Sequence, residues 1–239
     1  GKWGMGMFDT TGSPLKKGFD HFYGYNCQRH AHSYFPKYLW KDDQHIELDG
    51  KTYAMDLIGQ ETLDWVRSHA SSPFFLYHAI TLPHGSFEID DLGQYQDKPW
   101  TKLQKTYAAM VTAMDANIGR ILARVRELGM EQDTVVVFTS DNGGERFSDN
   151  WPLVGGKMDL TEGGIRVPLI VSGVPGSTAN RVQSALTHVN DIVPTIYETV
   201  GITAPKVVDG FVQDPIDGVS LAYTFDDGRA AGRNPSTLV

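Results

Sequence analysis

Apolar runs alternating with amphipathic stretches predict an α/β fold for this chain. Three observations carry that reading. Residues 134–139 form a β-branched run that ends in Ser140-Asp141-Asn142-Gly143-Gly144. This run reads as a fully buried strand in the middle of a parallel sheet with helices on both faces. Residues 74–80 and 166–172 are further apolar runs, the first closed by Thr81-Leu82-Pro83-His84-Gly85 and the second entered through Pro168; both read as strands. Between residues 103 and 128 the apolar positions step by three and four, the period of a helix, and Gly129 supplies a stop.

The remaining elements follow in order. Residues 1–54 are rich in glycine, aromatics and histidine with little periodicity, so they read as loop with short strands, a functional surface or a frayed end. Residues 56–69 form a helix through Leu57, Ile58, Leu63, Trp65 and Val66, closed by Ser71-Ser72-Pro73. Residues 145–164 are a glycine-rich loop. A last helix runs from Asp191 to Val200, with Asp191 as cap, Pro194 in the first turn and Gly201 as stop. Residues 226–239 read as a loop without a closing element, and Gly1 is not an initiator methionine, so both ends read as cut.

Length and composition bound the function. The 239 residues suit one large α/β domain or one and a half smaller ones, and 41% hydrophobic with 21% charged residues is ordinary for a globular chain. No apolar run approaches the roughly 20 residues of a membrane span. The net charge of -8 argues against general nucleic-acid binding but leaves room for a small anion held by local positive charge. Cys27 is the single cysteine, which excludes an internal disulfide and reads as a packed or idle thiol. His30, His32 and His45 lack metal-ligand spacing and read as structural or surface residues.

At the end of the 134–139 run, Asp141 and Asn142 place a carboxylate beside an amide carbonyl, two hard oxygen donors that suit Ca²⁺ or Mg²⁺ better than a soft metal. Asp-Asn-Gly is also an ordinary turn. Lys2, His84, Lys157 and Arg166 likewise follow strands or sit in glycine-rich loops. Together such groups suit an anion whose ester bond breaks: cations hold developing charge, and His or Lys protonates the departing oxygen.

In order along the chain stand Gly1-Lys2-Trp3-Gly4-Met5-Gly6, Gly18-Phe19-Asp20-His21-Phe22-Tyr23-Gly24-Tyr25, Pro73-Phe74-Phe75-Leu76-Tyr77, Pro83-His84, Thr139-Ser140-Asp141-Asn142-Gly143, and Gly156-Lys157 through Glu162-Gly163-Gly164-Ile165-Arg166-Val167-Pro168. In these motifs the sequence resembles the type I, formylglycine-dependent sulfatases of the alkaline phosphatase superfamily. The resemblance implies a large mixed, mostly parallel sheet between helices, incomplete here, with the catalytic domain over residues 1–205 and the start of a C-terminal region over 206–239. It implies Ca²⁺, with Mg²⁺ as alternative, at Asp141 and Asn142. It assigns sulfate contact and leaving-group assistance to His84 and Lys157, places Lys2 near nucleophile and sulfate, and leaves Arg166 to support the loop. The substrate it implies is a small-molecule or carbohydrate sulfate ester, in a secreted, periplasmic or lysosome-like setting.

The sequence departs from the family at named points. Gly4 stands where many members carry histidine. The single cysteine, Cys27, is followed by Gln28, Arg29, His30 and Ala31 and so does not begin the Cys-x-Pro/Ala-x-Arg form of the signature that yields formylglycine; that cofactor and the first metal-binding aspartates are expected upstream. This piece alone is therefore expected to bind metal weakly and to be inactive. A phosphatase or phosphodiesterase of the same superfamily is one alternative, and a non-catalytic fragment that binds anions or partners is another. Residues 29–45 and 145–150 are the loops expected to separate aryl, carbohydrate and lipid sulfates.

Overall fold

Helix α1 spans Ala54–Ser68 and buries Met55, Ile58, Gly59, Thr62, Leu63 and Val66, a stripe at helical spacing. Helix α2 spans Lys102–Glu127 and starts in a capping box, in which the Thr101 side chain accepts from the Gln104 amide while the Gln104 side chain accepts from the Thr101 amide. Gly129, at φ +70°, ends it in the left-handed conformation. The two helices pack where α1 carries Gly59, since a Cβ there would lie 2.0 Å from Asn117 Nδ2 on α2. These are the helices expected from residues 56–69 and 103–128, displaced by one or two residues at their ends.

The computed structural model describes residues 1–145, 147–174, 177 and 181–226. The chain forms two units, Gly1–Met130 and Glu131–Val239. Arg146 of the 145–150 loop and residues 227–239 of the expected closing loop lie outside the described residues.

In the first unit, strands β1 (Tyr23–Gly24), β2 (Tyr38–Lys41) and β3 (Gln44–Glu47) form an antiparallel sheet in that order. The tight turn between β2 and β3 holds Asp42 at φ +55°. His21 fastens this hairpin to α1, with Nδ1 2.9 Å from Asp42 and Nε2 3.1 Å from Glu61. The core joins Tyr25, Ala31, Tyr34, Leu39 and Tyr53 to Met55 and Ile58 of α1 and Met110 of α2. Residues 1–54, expected to be loop with short strands, a functional surface or a frayed end, do hold short strands and also supply much of the core. Their aromatic rings fill volume without any repeating spacing, so no periodicity announced them.

The strand expected over residues 74–80 is extended but unpaired among the described residues. Its side chains alternate, with Phe75 61% and Tyr77 53% exposed while their neighbours are half-buried. One ladder-like bond, Lys2 N–H to Ala79 O at 2.7 Å, ties it to the amino-terminal segment, which bridges Tyr25 in parallel. Alternation declares a strand's face, whereas a ladder needs a partner edge.

In the second unit, β4 (Val136–Thr139) pairs antiparallel with β5 (Leu169–Ser172), Thr139 facing Leu169. The expectation of a fully buried strand between parallel neighbours differs from this pair, whose residues are half-buried or exposed. The short helix α3 (Glu162–Ile165) precedes β5, and α4 (Ile192–Thr199) ends at Gly201, φ +71°. Asp191 stands at the α4 cap, yet its side chain makes no bond to that helix. Its fully buried carboxylate instead accepts from the amides of His188 at 2.8 Å and Val219 at 2.9 Å, stapling residues 217–221 to the helix. A hairpin of β6 (Val207–Val208) and β7 (Phe211–Val212) turns at Asp209-Gly210, and helix α5 spans Tyr223–Asp226. Asp-Gly between apolar pairs is a hairpin signal that the sequence reading passed over. Among the described residues no helix is long and apolar enough to cross a membrane.

Candidate functional site

In the second unit, β4 delivers Asp141 and Asn142 beyond its carboxyl end, where ligands gather in open α/β sheets. Asp141 is exposed and Asn142 half-buried. The turn below them is held by glycine: Gly143 N–H donates to Gly164 O at 2.8 Å, and a Cβ on Gly143 would stand 1.8 Å from Gly163 O. Only a residue without a side chain lets these backbones meet. The same contact brings the 145–164 loop back onto the strand end, because Lys157 N–H donates to Gly144 O at 2.8 Å. Lys157 Nζ lies 2.9 Å from Glu145 Oε1, with both side chains mostly buried. Glu145 is thus a site residue that the sequence reading missed; no spacing links a carboxylate to a lysine that far along a loop. Beside Lys157 lies a cleft of about 310 Å³ lined by Ser148, Asn150, Leu153, Gly155, Gly156 and Asp159. Among the described residues Arg166 pairs only with Glu162, at 3.4 Å on the surface.

As metal ligands, Asp141 and Asn142 fit in kind and fall short in number. Their oxygens are of the type Ca²⁺ takes, but Ca²⁺ wants roughly six to eight of them. Among the described residues no group of three or more His, Cys, Asp and Glu side chains is gathered for a metal.

The first unit holds Lys2 and His84. Lys2 is fixed through its backbone to Ala79, and its half-buried side chain has no ion pair among the described residues. His84 ends a turn in which its N–H donates to Thr81 O at 2.9 Å. Its Nδ1 lies 2.5 Å from Gly85 O, and since a carbonyl only accepts, that nitrogen carries the proton. The Nε2 atom remains for chemistry. Gly4 sits at φ +72°, and a Cβ there would meet Gln28 Cγ at 2.8 Å, so the backbone itself favours glycine where the family often has histidine. Gly4, Gly6, Met7, Asn26, Cys27 and Gln28 line a second cleft of about 250 Å³, with Cys27 a half-buried free thiol. Of the other histidines, His30 is packed between Tyr25 and Tyr38, and burial, then His45, holds its pKa down. His45 stacks on Tyr38, as a structural histidine does.

An α/β framework thus carries a hard-oxygen pair past a strand end and a lysine whose backbone is bonded to the same turn. The comparisons give this framework its family. The sulfatase family model matches residues 1–202, and the chain belongs to that family. It is 31% identical to human N-acetylgalactosamine-6-sulfatase over 98% of its own length and 46% of that protein, and 26% identical to mouse arylsulfatase J over 98% and 40%. The chain therefore spans less than half the length of these relatives. Among solved structures it resembles Ps i-CgsB in complex with k-i-k-neocarrahexaose, with TM-score 0.81 and 26% identity over 94% of this chain and 53% of that one. Such neighbours show the α/β sulfatase fold that the sequence predicts.

Proposed function

We propose that the complete protein hydrolyses sulfate esters, with carbohydrate sulfates as the substrate class. One observation supports the reading: the 145–164 loop is hydrogen-bonded back onto the turn after β4, where the Lys157 N–H donates to Gly144 O, two residues past Asn142. Human N-acetylgalactosamine-6-sulfatase and the neocarrahexaose complex, by their names, support a carbohydrate ester. A secreted, periplasmic or lysosome-like setting rests on the family resemblance.

In this reading Lys157 and Lys2 hold sulfate oxygens as ammonium donors, stabilising charge that grows as the ester bond lengthens. Glu145 orients the Lys157 ammonium through their ion pair. When the sulfur–oxygen bond breaks, the departing oxygen takes the Nε2 proton of the imidazolium form of His84, and the ring returns to the neutral form whose remaining proton sits on Nδ1 against Gly85 O. Asp141 and Asn142 would hold part of a Ca²⁺ site, with Mg²⁺ as alternative; a bound cation there supplies charge neutralisation for the sulfate oxygens.

The test is a matched pair of substrates, p-nitrophenyl sulfate and p-nitrophenyl phosphate, with the complete protein. Sulfate release is expected to dominate, and Lys157→Ala to lower kcat/KM by about 100-fold or more. Preference for the phosphate would establish the superfamily's phosphatase chemistry instead, and unchanged turnover in Lys157→Ala would overturn the residue's role.

A further inference from the structure

We infer that His32 is a positioning residue for His84. The inference rests on the role just given to His84 and adds what holds its ring. The two imidazoles stack with centroids 4.7 Å apart and planes 19° from parallel. His32 is exposed and His84 half-buried, so the outer ring covers one face of the inner.

An imidazole on a loop turns about two side-chain torsions, and a proton donor must be held near one geometry to act at one oxygen. Two contacts hold this ring. The Nδ1–H bond to Gly85 O fixes the ring edge and the tautomer, while the His32 face fixes the ring plane. The backbone beneath both rings is clamped as well. The Tyr34 hydroxyl, fully buried, donates to His84 O at 2.7 Å and Thr81 O at 3.1 Å, and Tyr34 N–H donates to Glu88 Oε2 at 3.0 Å. The Tyr25 hydroxyl donates to Ser33 O at 2.6 Å. Residues 32–34 therefore hold the His84 turn at three levels: ring, carbonyl and neighbouring carboxylate. Without the stack, rotation of the ring would break the Gly85 bond and let the proton move between the two nitrogens.

His32→Ala and His32→Phe separate the ring face from everything else, because phenylalanine keeps the flat surface and loses both nitrogens. The first readout is the long-range proton–nitrogen NMR spectrum of this chain labelled with ¹⁵N-histidine. Wild-type His84 is expected to show a protonated Nδ1 and a bare Nε2 in its neutral form. In His32→Ala the two nitrogens are expected to move toward averaged shifts, and His32→Phe to restore the separation. The second readout is turnover of p-nitrophenyl sulfate by the complete protein. There His32→Ala is expected to lower kcat by about tenfold or more at little change in KM, and His32→Phe to regain most of it.

An unchanged His84 spectrum in His32→Ala, or a His32→Phe variant as disordered as the alanine one, would overturn the inference. The NMR readout needs no catalysis, so a protein that fails to hydrolyse sulfate esters refutes the proposed function while the positioning of His84 is still decided by its ring.

Discussion

Gly143→Ala strikes the contact that holds the candidate site together. An added Cβ would stand 1.8 Å from Gly163 O, 2.8 Å from Gly163 C and 3.0 Å from Gly164 Cα, all of it backbone that cannot swing aside. An ordinary carbon–oxygen contact is about 3.3 Å, so the two segments must part by roughly 1.5 Å. That separation also breaks the 2.8 Å bond from Gly143 N–H to Gly164 O. Overpacking costs about 1–3 kcal/mol and the lost bond about 1 kcal/mol, giving about 2–4 kcal/mol in all. Gly119→Ala is the control: it lies exposed inside α2 with no atom within 4 Å of its added Cβ, and is expected to gain about 0.5–1 kcal/mol of helix propensity. Urea unfolding measures both variants, and hydrogen exchange at the Gly143 amide locates the first. A loss below about 0.5 kcal/mol in Gly143→Ala, the size of an ordinary surface change, would refute the close-approach argument.

Three further outcomes are expected. His78 bonds Thr62 at 3.2 Å, and burial chiefly lowers its pKa from 6.5 to about 4. The folded ring thus resists the proton that the unfolded ring accepts: its contribution is full above about pH 6.5 and is lost as pH falls toward 4, by about 3 kcal/mol at most. His78→Gln should flatten stability across that window, and an unaltered acid limb in urea titrations would contradict it. Asp191→Ala removes the buried acceptor of the His188 and Val219 amides and should cost about 1–3 kcal/mol by thermal or urea unfolding; a neutral result would show that water replaces the carboxylate. In the complete protein, Asp141→Ala should shrink the rise in Tm produced by added Ca²⁺, and an equal rise in both forms would remove Asp141 from the metal site.

The helices were legible because their signal is local. In α2 the three-and-four spacing and the Gly129 stop are local to the helix they define, and the fold agrees with each; the Thr101 capping box went unread. Two strands were legible for the same reason: Val136–Thr139 and Leu169–Ser172 lie inside apolar runs. Their pairing was not, since β4 faces β5 across a loop and residues 74–80 find a single bond from Lys2. The long aromatic segment 1–54 hid a core, because rings of Tyr25, Tyr34 and Tyr53 interlock by shape.

At the candidate site, the sequence by itself determined the chemical inventory. Asp141 and Asn142 follow an apolar run, Lys157 sits in a glycine-rich loop and His84 follows a proline, and the order of these motifs named the family. Tertiary structure alone decided who touches whom. Glu145 meets Lys157 because Gly143 and Gly163 let two backbones close, and His32 meets His84 because Tyr34 pins one turn to another. Side-chain type and local period are written residue by residue, whereas a contact between distant residues exists only once the chain between them has folded.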